Sequence, residues 1–410
     1  MNRKSKVLVG AVATIGVVLG LAACGSSSSS ATSPSAGSGS VASAPSGETI
    51  KIGVVGSFGG VAGDGLRAEQ AAEEAWVAKT NASGGINGHK VQLFVEDDGG
   101  VPDKSVLAVK KLVEKDGVIA IVGVADFGVE QTWASYIDGK KIPVIGGPAS
   151  SQPWVTDPNF FPVANNQNNV QKMVTYGAVL EKKSTFGLAY CAEYPSCKQS
   201  DPIYSGITKG LGLTYTGGVA VSTTAPDYTA QCLSLKSKGA QSVFTSFSSG
   251  TVPRFISSCH TQGYEPLFID DPASFVKSQL NEPAFDGVLF VGEGPLWFGD
   301  GPGTADYLAA MQKYQPNGEL NSTGTTGWYS LEVFKKAIEA SGAKGVPTSA
   351  DVYKGLYALG PNFDLDGIIA PVTYAEGKPA VQQPCGWYAT LADGKWSAPH
   401  GTKRVCIPAS

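Results

Sequence analysis

Charge is scarce in this chain of 410 residues: only 16% of the side chains are Asp, Glu, Lys or Arg, and the formal net charge is −4. No run of Lys and Arg forms a basic stripe, which argues against a nucleic-acid partner. Histidine is scarcer still. His89, His260 and His400 lie far apart, show no ligand spacing and read as loop or surface residues, so no metal centre is expected. No C-x-x-C occurs, which removes zinc-ribbon and thioredoxin-like readings. Neither a G-x-S-x-G elbow nor a Walker loop is present. One match to G-x-G-x-x-A, "GDGLRA" at 63–68, starts about eight residues after the preceding strand pattern, whereas a dinucleotide turn follows its strand at once. No cofactor and no catalysis are expected.

Apolar runs are short. Arg3, Lys4 and Lys6 precede the uncharged stretch "VLVGAVATIGVVLGLAA", the layout of a secretory signal. That stretch is rich in Gly and Ala and short for a membrane span, which needs ~20 apolar residues. Its border, Leu21-Ala22-Ala23-Cys24, resembles the bacterial lipobox, which implies a lipoprotein signal over 1–23 and acylation of Cys24. Residues 24–47 then hold the acylated Cys and a Ser/Gly/Ala linker without charge or large apolar side chains. Such a segment cannot bury enough surface to offset its conformational entropy and reads as a tether. The expectation is an exported chain, lipid-anchored to the outer face of the cytoplasmic membrane.

Seven cysteines is an odd number, and giving Cys24 to the lipid leaves six. Six allow 15 pairings. Sequence neighbours suggest Cys191–Cys197, Cys232–Cys259 and Cys385–Cys406 as structural disulfides of an oxidising compartment.

From residue 48 onward, short apolar runs alternate with helical patterns. "IKIGVV", "VQLFVEDD", "VIAIVG" and "PVIGG" read as strands, with helices from Leu66, from Pro102 and near 128–139 between them. The grammar restarts after "FFPVANNQNN" with a helix near 168–182, then "TFGLAY", "LTYTGGVAV", "SVFTSFS", "PLFID" and "GVLFVG". Helical patterns near 304–315, 327–341 and 349–358 follow, and strands around an Asp393-Gly394 turn close the chain. This is an α/β protein with parallel sheets covered on both faces. It is long for one core, so two lobes are expected.

Five segments in this order resemble the type I periplasmic-binding-protein fold, in its leucine-isoleucine-valine-binding branch. They are "IKIGVVGSFGG", "NASGGINGHKVQLFVEDD", "IVGVADFGVEQT", "KIPVIGGPAS" and "GWYSLEVFKKAIEASG". The resemblance implies two doubly wound, Rossmann-like lobes joined by a three-strand hinge. Lobe 1 is then 48–166 plus 299–366 and lobe 2 is 167–298 plus 367–410, with crossings near 165–168, 297–300 and 365–368. It also implies a monomeric receptor that closes on a small solute (an amino acid, an amide, or a small aromatic or apolar acid) and delivers it to ABC permease subunits. A ligand-sensing receptor of the same fold is the alternative.

Ligands of open α/β sheets settle outside the carboxyl ends of the strands. The loops there put Ser57, Phe58, Asp126, Phe127, Gly128, Ala149, Ser150 and Ser151 on the first lobe, and Glu193, Tyr194, Ser248 and Asp271 on the second. In the family the equivalents of "VADFG" and "GPASS" grip an amino acid's carboxylate through hydroxyl and N–H groups. Here Asp126 stands where the family has serines, and a carboxylate would be repelled by it. Tyr194 is nearest to a ligand-covering tyrosine of the family, and Asp270 or Asp271 lies near its ammonium-binding carboxylate. Trp297, Trp328, Trp387 and Trp396 fit core packing better than a stacking site.

Overall fold

β1 (Ile50–Gly56) is buried along its length except at Lys51, as a central strand of a parallel sheet must be. It pairs in parallel with β2 (Val91–Asp97) on one side and β3 (Ile121–Val122) on the other. β4 (Val144–Ile145) and β5 (Phe160–Phe161) complete a five-stranded sheet of order β2-β1-β3-β4-β5. The computed structural model describes residues 47–408 except 60–62, 127, 194, 249, 272 and 274. The expected signal, Cys24, the tether, Phe127 and Tyr194 therefore lie outside the described residues.

The second sheet repeats the first. β6 (Thr185–Cys191), β7 (Thr214–Val221), β8 (Ser242–Ser246), β9 (Leu267–Asp270) and β10 (Leu289–Gly292) are parallel and run in the order β7-β6-β8-β9-β10. This is the same winding as the first sheet, with the order reversing beside its first strand. β13 (Cys385–Ala392) then adds antiparallel to β10, and β14 (Lys395–Ser397) to β13 through the Asp393-Gly394 turn. The two-lobed α/β architecture read from the sequence is present.

Helices cover each sheet. In α1 (Gly63–Ala82), Ala68, Ala72, Ala75 and Trp76 are fully buried, the stripe that helical spacing predicts. The partner of α1 is α10 (Ser322–Ser341), which starts earlier than the expected 327. "STGTTG" has weak helix propensity. It is helical because Asn321 caps Gly324 N–H at 3.1 Å and because the whole turn is buried under α1. α9 (Thr304–Tyr314) rests on α1, and α11 (Ser349–Ala358) on α10.

Near 128–139 the single expected helix is two pieces: a 3-10 turn at Val129–Thr132 and α3 (Ala134–Lys140). The hairpin of β11 (Val372–Ala375) and β12 (Lys378–Gln382) packs on β5 and α11, and the Tyr374 hydroxyl donates to Pro162 O at 2.8 Å. By these contacts it sits with the first sheet, although the lobe bounds implied by the resemblance group 367–382 with the second. Buried Asn165 ties the crossing segments together: its N–H donates to Glu293 O at 3.1 Å and its side chain to Cys385 O. The segments at Glu293 and Cys385 therefore run beside the 165–168 segment.

The three disulfides are those suggested by sequence proximity: Cys191–Cys197, Cys232–Cys259 and Cys385–Cys406. All lie on the second sheet or its helices. Trp328 and Trp387 are buried, and Trp297 meets Trp396 edge-on at 4.9 Å, so the tryptophans pack as expected. Among the described residues, no helix is long and apolar enough to cross a membrane.

Candidate functional site

The carboxyl edge of the first sheet is acidic. Ser57 at the end of β1, Asp98 just past β2 and Asp126 past β3 converge because each follows a strand in the same parallel register. The Ser57 hydroxyl lies 2.6 Å from Asp126 Oδ1 and 3.0 Å from Asp98 Oδ1. All three are buried, and the second oxygens of Asp98 and Asp126 have no partner among the described residues. Burial, with the Asp98 charge beside it, pushes the Asp126 carboxyl up to about 9, so it keeps its proton at neutral pH.

One turn on, buried Glu130 gathers donors. Gly128 N–H reaches its Oε2 at 2.9 Å, while Ser151 Oγ at 2.6 Å and Trp154 Nε1 at 2.9 Å reach its Oε1. Gly128 has φ +113°, a backbone shape that aims its N–H inward and that other residues rarely adopt. Burial raises the Glu130 pKa, and these hydrogen bonds oppose the shift.

Opposite lies a cavity of about 190 Å³ at the carboxyl ends of β8 and β9. Asp270 and Asp271 form its acidic side, and Tyr204, Phe244 and Phe247 its aromatic side. Burial raises both carboxyls, Asp271 to about 6, and the Asp271 charge adds to the rise of Asp270. Asp270 Oδ1 accepts from Thr245 at 3.1 Å, and Asp271 Oδ1 from Ala273 N–H at 2.9 Å. Gln167, which opens α5 (Gln167–Leu180), lines this cavity and donates its N–H to Ala149 O at 3.0 Å. That bond brings the cavity against the β4 loop of the first lobe. A larger groove of about 610 Å³, beside Lys141 and Tyr353, lies at the opposite, amino-terminal edge of β4 and β5.

The residues read from the sequence thus divide. Ser57 and Asp126 meet. Gly128 and Ser151 both serve Glu130, Ala149 is buried against α5, and the Ser150 hydroxyl has no partner among the described residues. Phe58 is core, packed with Val54, Leu66 and Ala125. Glu193 turns away from the cavity to accept from Thr223 N–H at 2.7 Å and from Ser222 Oγ at 3.0 Å. Ser248 is exposed and pairs with the Thr251 hydroxyl at 3.0 Å. Asp271 lines the cavity.

Sequence reasoning named Asp270 only as the alternative to Asp271, and it missed Asp98, Glu130 and Glu293, and also Glu69 and Glu73. The last two carried a signal: they share a helical face with buried Ala72 and Trp76. Burial raises both glutamates, none of their four oxygens has a partner among the described residues, and Glu293 is raised by burial together with the Asp271 and Glu69 charges.

Two equally wound parallel sheets, with a cavity at the carboxyl edge of the second held against the β4 loop of the first by the Gln167–Ala149 bond, have the architecture of a two-lobed ligand-binding protein of the type I class. The chain belongs to the periplasmic binding protein family, whose model matches residues 49–395. It is 25% identical over 309 residues to an amino acid binding protein of Pseudomonas aeruginosa, covering 70% of this chain and 76% of that one. It is equally 25% identical over 320 residues to a Leu/Ile/Val-binding protein homolog of Brucella melitensis, covering 73% and 74% of the two chains. A solved extracellular ligand-binding receptor from Verminephrobacter eiseniae superposes with a TM-score of 0.71 at 18% identity, over 85% of this chain and 99% of that one. Members of this family bind ligands rather than catalyse reactions, and they work outside the cytoplasm.

Proposed function

We propose that this protein is the solute-capturing receptor of an ABC importer, held to the membrane by acylated Cys24 and acting as a monomer. Lobe 1 would be 48–166 with 299–366 and lobe 2 would be 167–298 with 367–410, apart from the hairpin that packs on β5. The supporting observation is the Gln167–Ala149 bond, which sets the second-lobe cavity against the first-lobe loops at a point where the chain crosses between sheets. A small solute (an amino acid, an amide, or a small aromatic or apolar acid) that touches both edges favours the closed arrangement by its differential affinity. The closed form is then what the permease subunits receive.

Two measurements test this. Small-angle scattering on the mature body should show a smaller radius of gyration when a binding solute, found by thermal-shift screening, is added. A bound solute without compaction removes hinge closure. The Cys24→Ser variant should appear in the soluble fraction of cells, because two acyl chains are about what stable attachment requires. Retention on membranes after a high-salt wash removes the lipid anchor.

A further inference from the structure

A lobe that grips a free carboxylate must offer it hydrogen-bond donors that nothing else occupies. Among the described residues, donors of the first-lobe loops and of the adjoining start of α5 are occupied from inside. Glu130 holds Gly128 N–H, the Ser151 hydroxyl and Trp154 Nε1 at 2.9, 2.6 and 2.9 Å. At the start of α5, Gln167 N–H goes to Ala149 O at 3.0 Å and Asn169 N–H to the Asn166 side chain at 3.1 Å. The Ser57 hydroxyl is shared between Asp98 and Asp126. Arg67, at the start of α1, donates to Phe58 O at 3.0 Å. Of the hydroxyls assigned to the first-lobe loops, only Ser150 Oγ is without a partner among the described residues.

Acidic side chains crowd the same place. Asp98 Oδ2 and Asp126 Oδ2 are fully buried and unpartnered among the described residues, and the proton that Asp126 keeps has the Asp98 carboxylate beside it as an acceptor. Across the cleft the cavity pairs Asp270 and Asp271 with the rings of Tyr204, Phe244 and Phe247, and no Lys, Arg or His is among its described lining residues. Carboxylates beside aromatic faces suit a cation, which gains both an ion pair and attraction to the rings. A volume of about 190 Å³ takes one end of a compact molecule.

We propose that the solute is a primary amine on a compact apolar or aromatic frame with no carboxylate of its own, because Glu130 already fills the carboxylate's place in the first lobe. The ammonium group sits between the aromatic side and Asp270 and Asp271, and the apolar frame extends toward the β4 loop. This inference rests on the receptor reading above and narrows its solute class.

The test compares matched molecules by calorimetry on the mature protein at pH 7.5: isopentylamine, leucinamide and leucine, then phenethylamine, phenylalanine and benzoate. The amines and leucinamide should bind at least about tenfold more tightly than leucine, phenylalanine or benzoate, since a buried carboxylate without donors is strongly disfavoured. Asp271→Asn, with a melting temperature matching the parent, should weaken the amines about tenfold or more. Leucine, phenylalanine or benzoate binding as tightly as the amines overturns the inference and leaves the receptor reading standing. Amine affinity unchanged in Asp271→Asn overturns the placement of the ammonium group. If no matched compound binds while a broad solute library yields a ligand, the inference falls alone. If the library also yields none, the receptor reading falls with it.

Discussion

The two lobes are wound alike and held differently. The first sheet has three strands of only two residues, β3, β4 and β5, whereas the parallel strands of the second run from four to eight. The first lobe makes up the difference with helices: α1 and α10, each of 20 residues, pack along their length through small and aromatic side chains. The second lobe relies on longer ladders and on all three disulfides. One topology is therefore stabilised by two different means, and the lobes should respond to different insults.

The largest expected effect is reductive. Replacing the six second-lobe cysteines by Ala should cost ~2–4 kcal/mol per bridge. Hydrogen exchange should then show β6, β8 and β13 losing protection while β1 and β2 keep theirs. Equal loss in both sheets would break the comparison and make the body one cooperative unit.

A first-lobe substitution should act in the opposite direction. Gly123 has φ +70°, and a Cβ there would fall 1.7 Å from Glu73 Oε1. Gly123→Ala should destabilise by about 1–3 kcal/mol through strain and overpacking, with exchange rising first in β3 and β4. Adding Glu73→Ala should recover part of the loss. A Gly123→Ala protein that melts like the parent would show that the α1–α10 layer yields freely.

A third effect sharpens the contrast by pH. Asp126 is held up to about 9 against an unfolded value of 3.8. The folded state therefore binds the extra proton between those values, and its stabilising contribution is lost as pH rises through about 9. Each such proton gives a slope of up to ~1.4 kcal/mol per pH unit. Between pH 5 and 9 the parent should lose stability with rising pH, and Asp126→Asn should follow a shallower curve by up to one proton's slope. Parallel curves would place Asp126 in contact with water or a cation.

The alternation of strand and helix, the two-lobed fold, the three disulfide pairs and the buried face of α1 were legible in the sequence, and for one reason. Each is carried by neighbours in the chain: periodicity over a few residues, or cysteines brought close by a short loop. The helix start at Ser322 and the hairpin's place on β5 were not legible, because long-range packing against α1 and β5 decides them over local propensity.

The site divides along the same line. Which loops stand at the carboxyl edges followed from strand order, and so Ser57, Asp126 and Asp271 could be placed at those edges. What those loops can do was settled by partners far away in sequence. Gly128 and Ser151 look like free donors until Glu130 is seen between them, and Phe58 looks like a ligand-facing ring until Leu66 and Ala125 enclose it. A sequence states which polar groups exist. Only the tertiary structure states which are already satisfied, because hydrogen bonds and desolvation depend on distances that chain connectivity does not set.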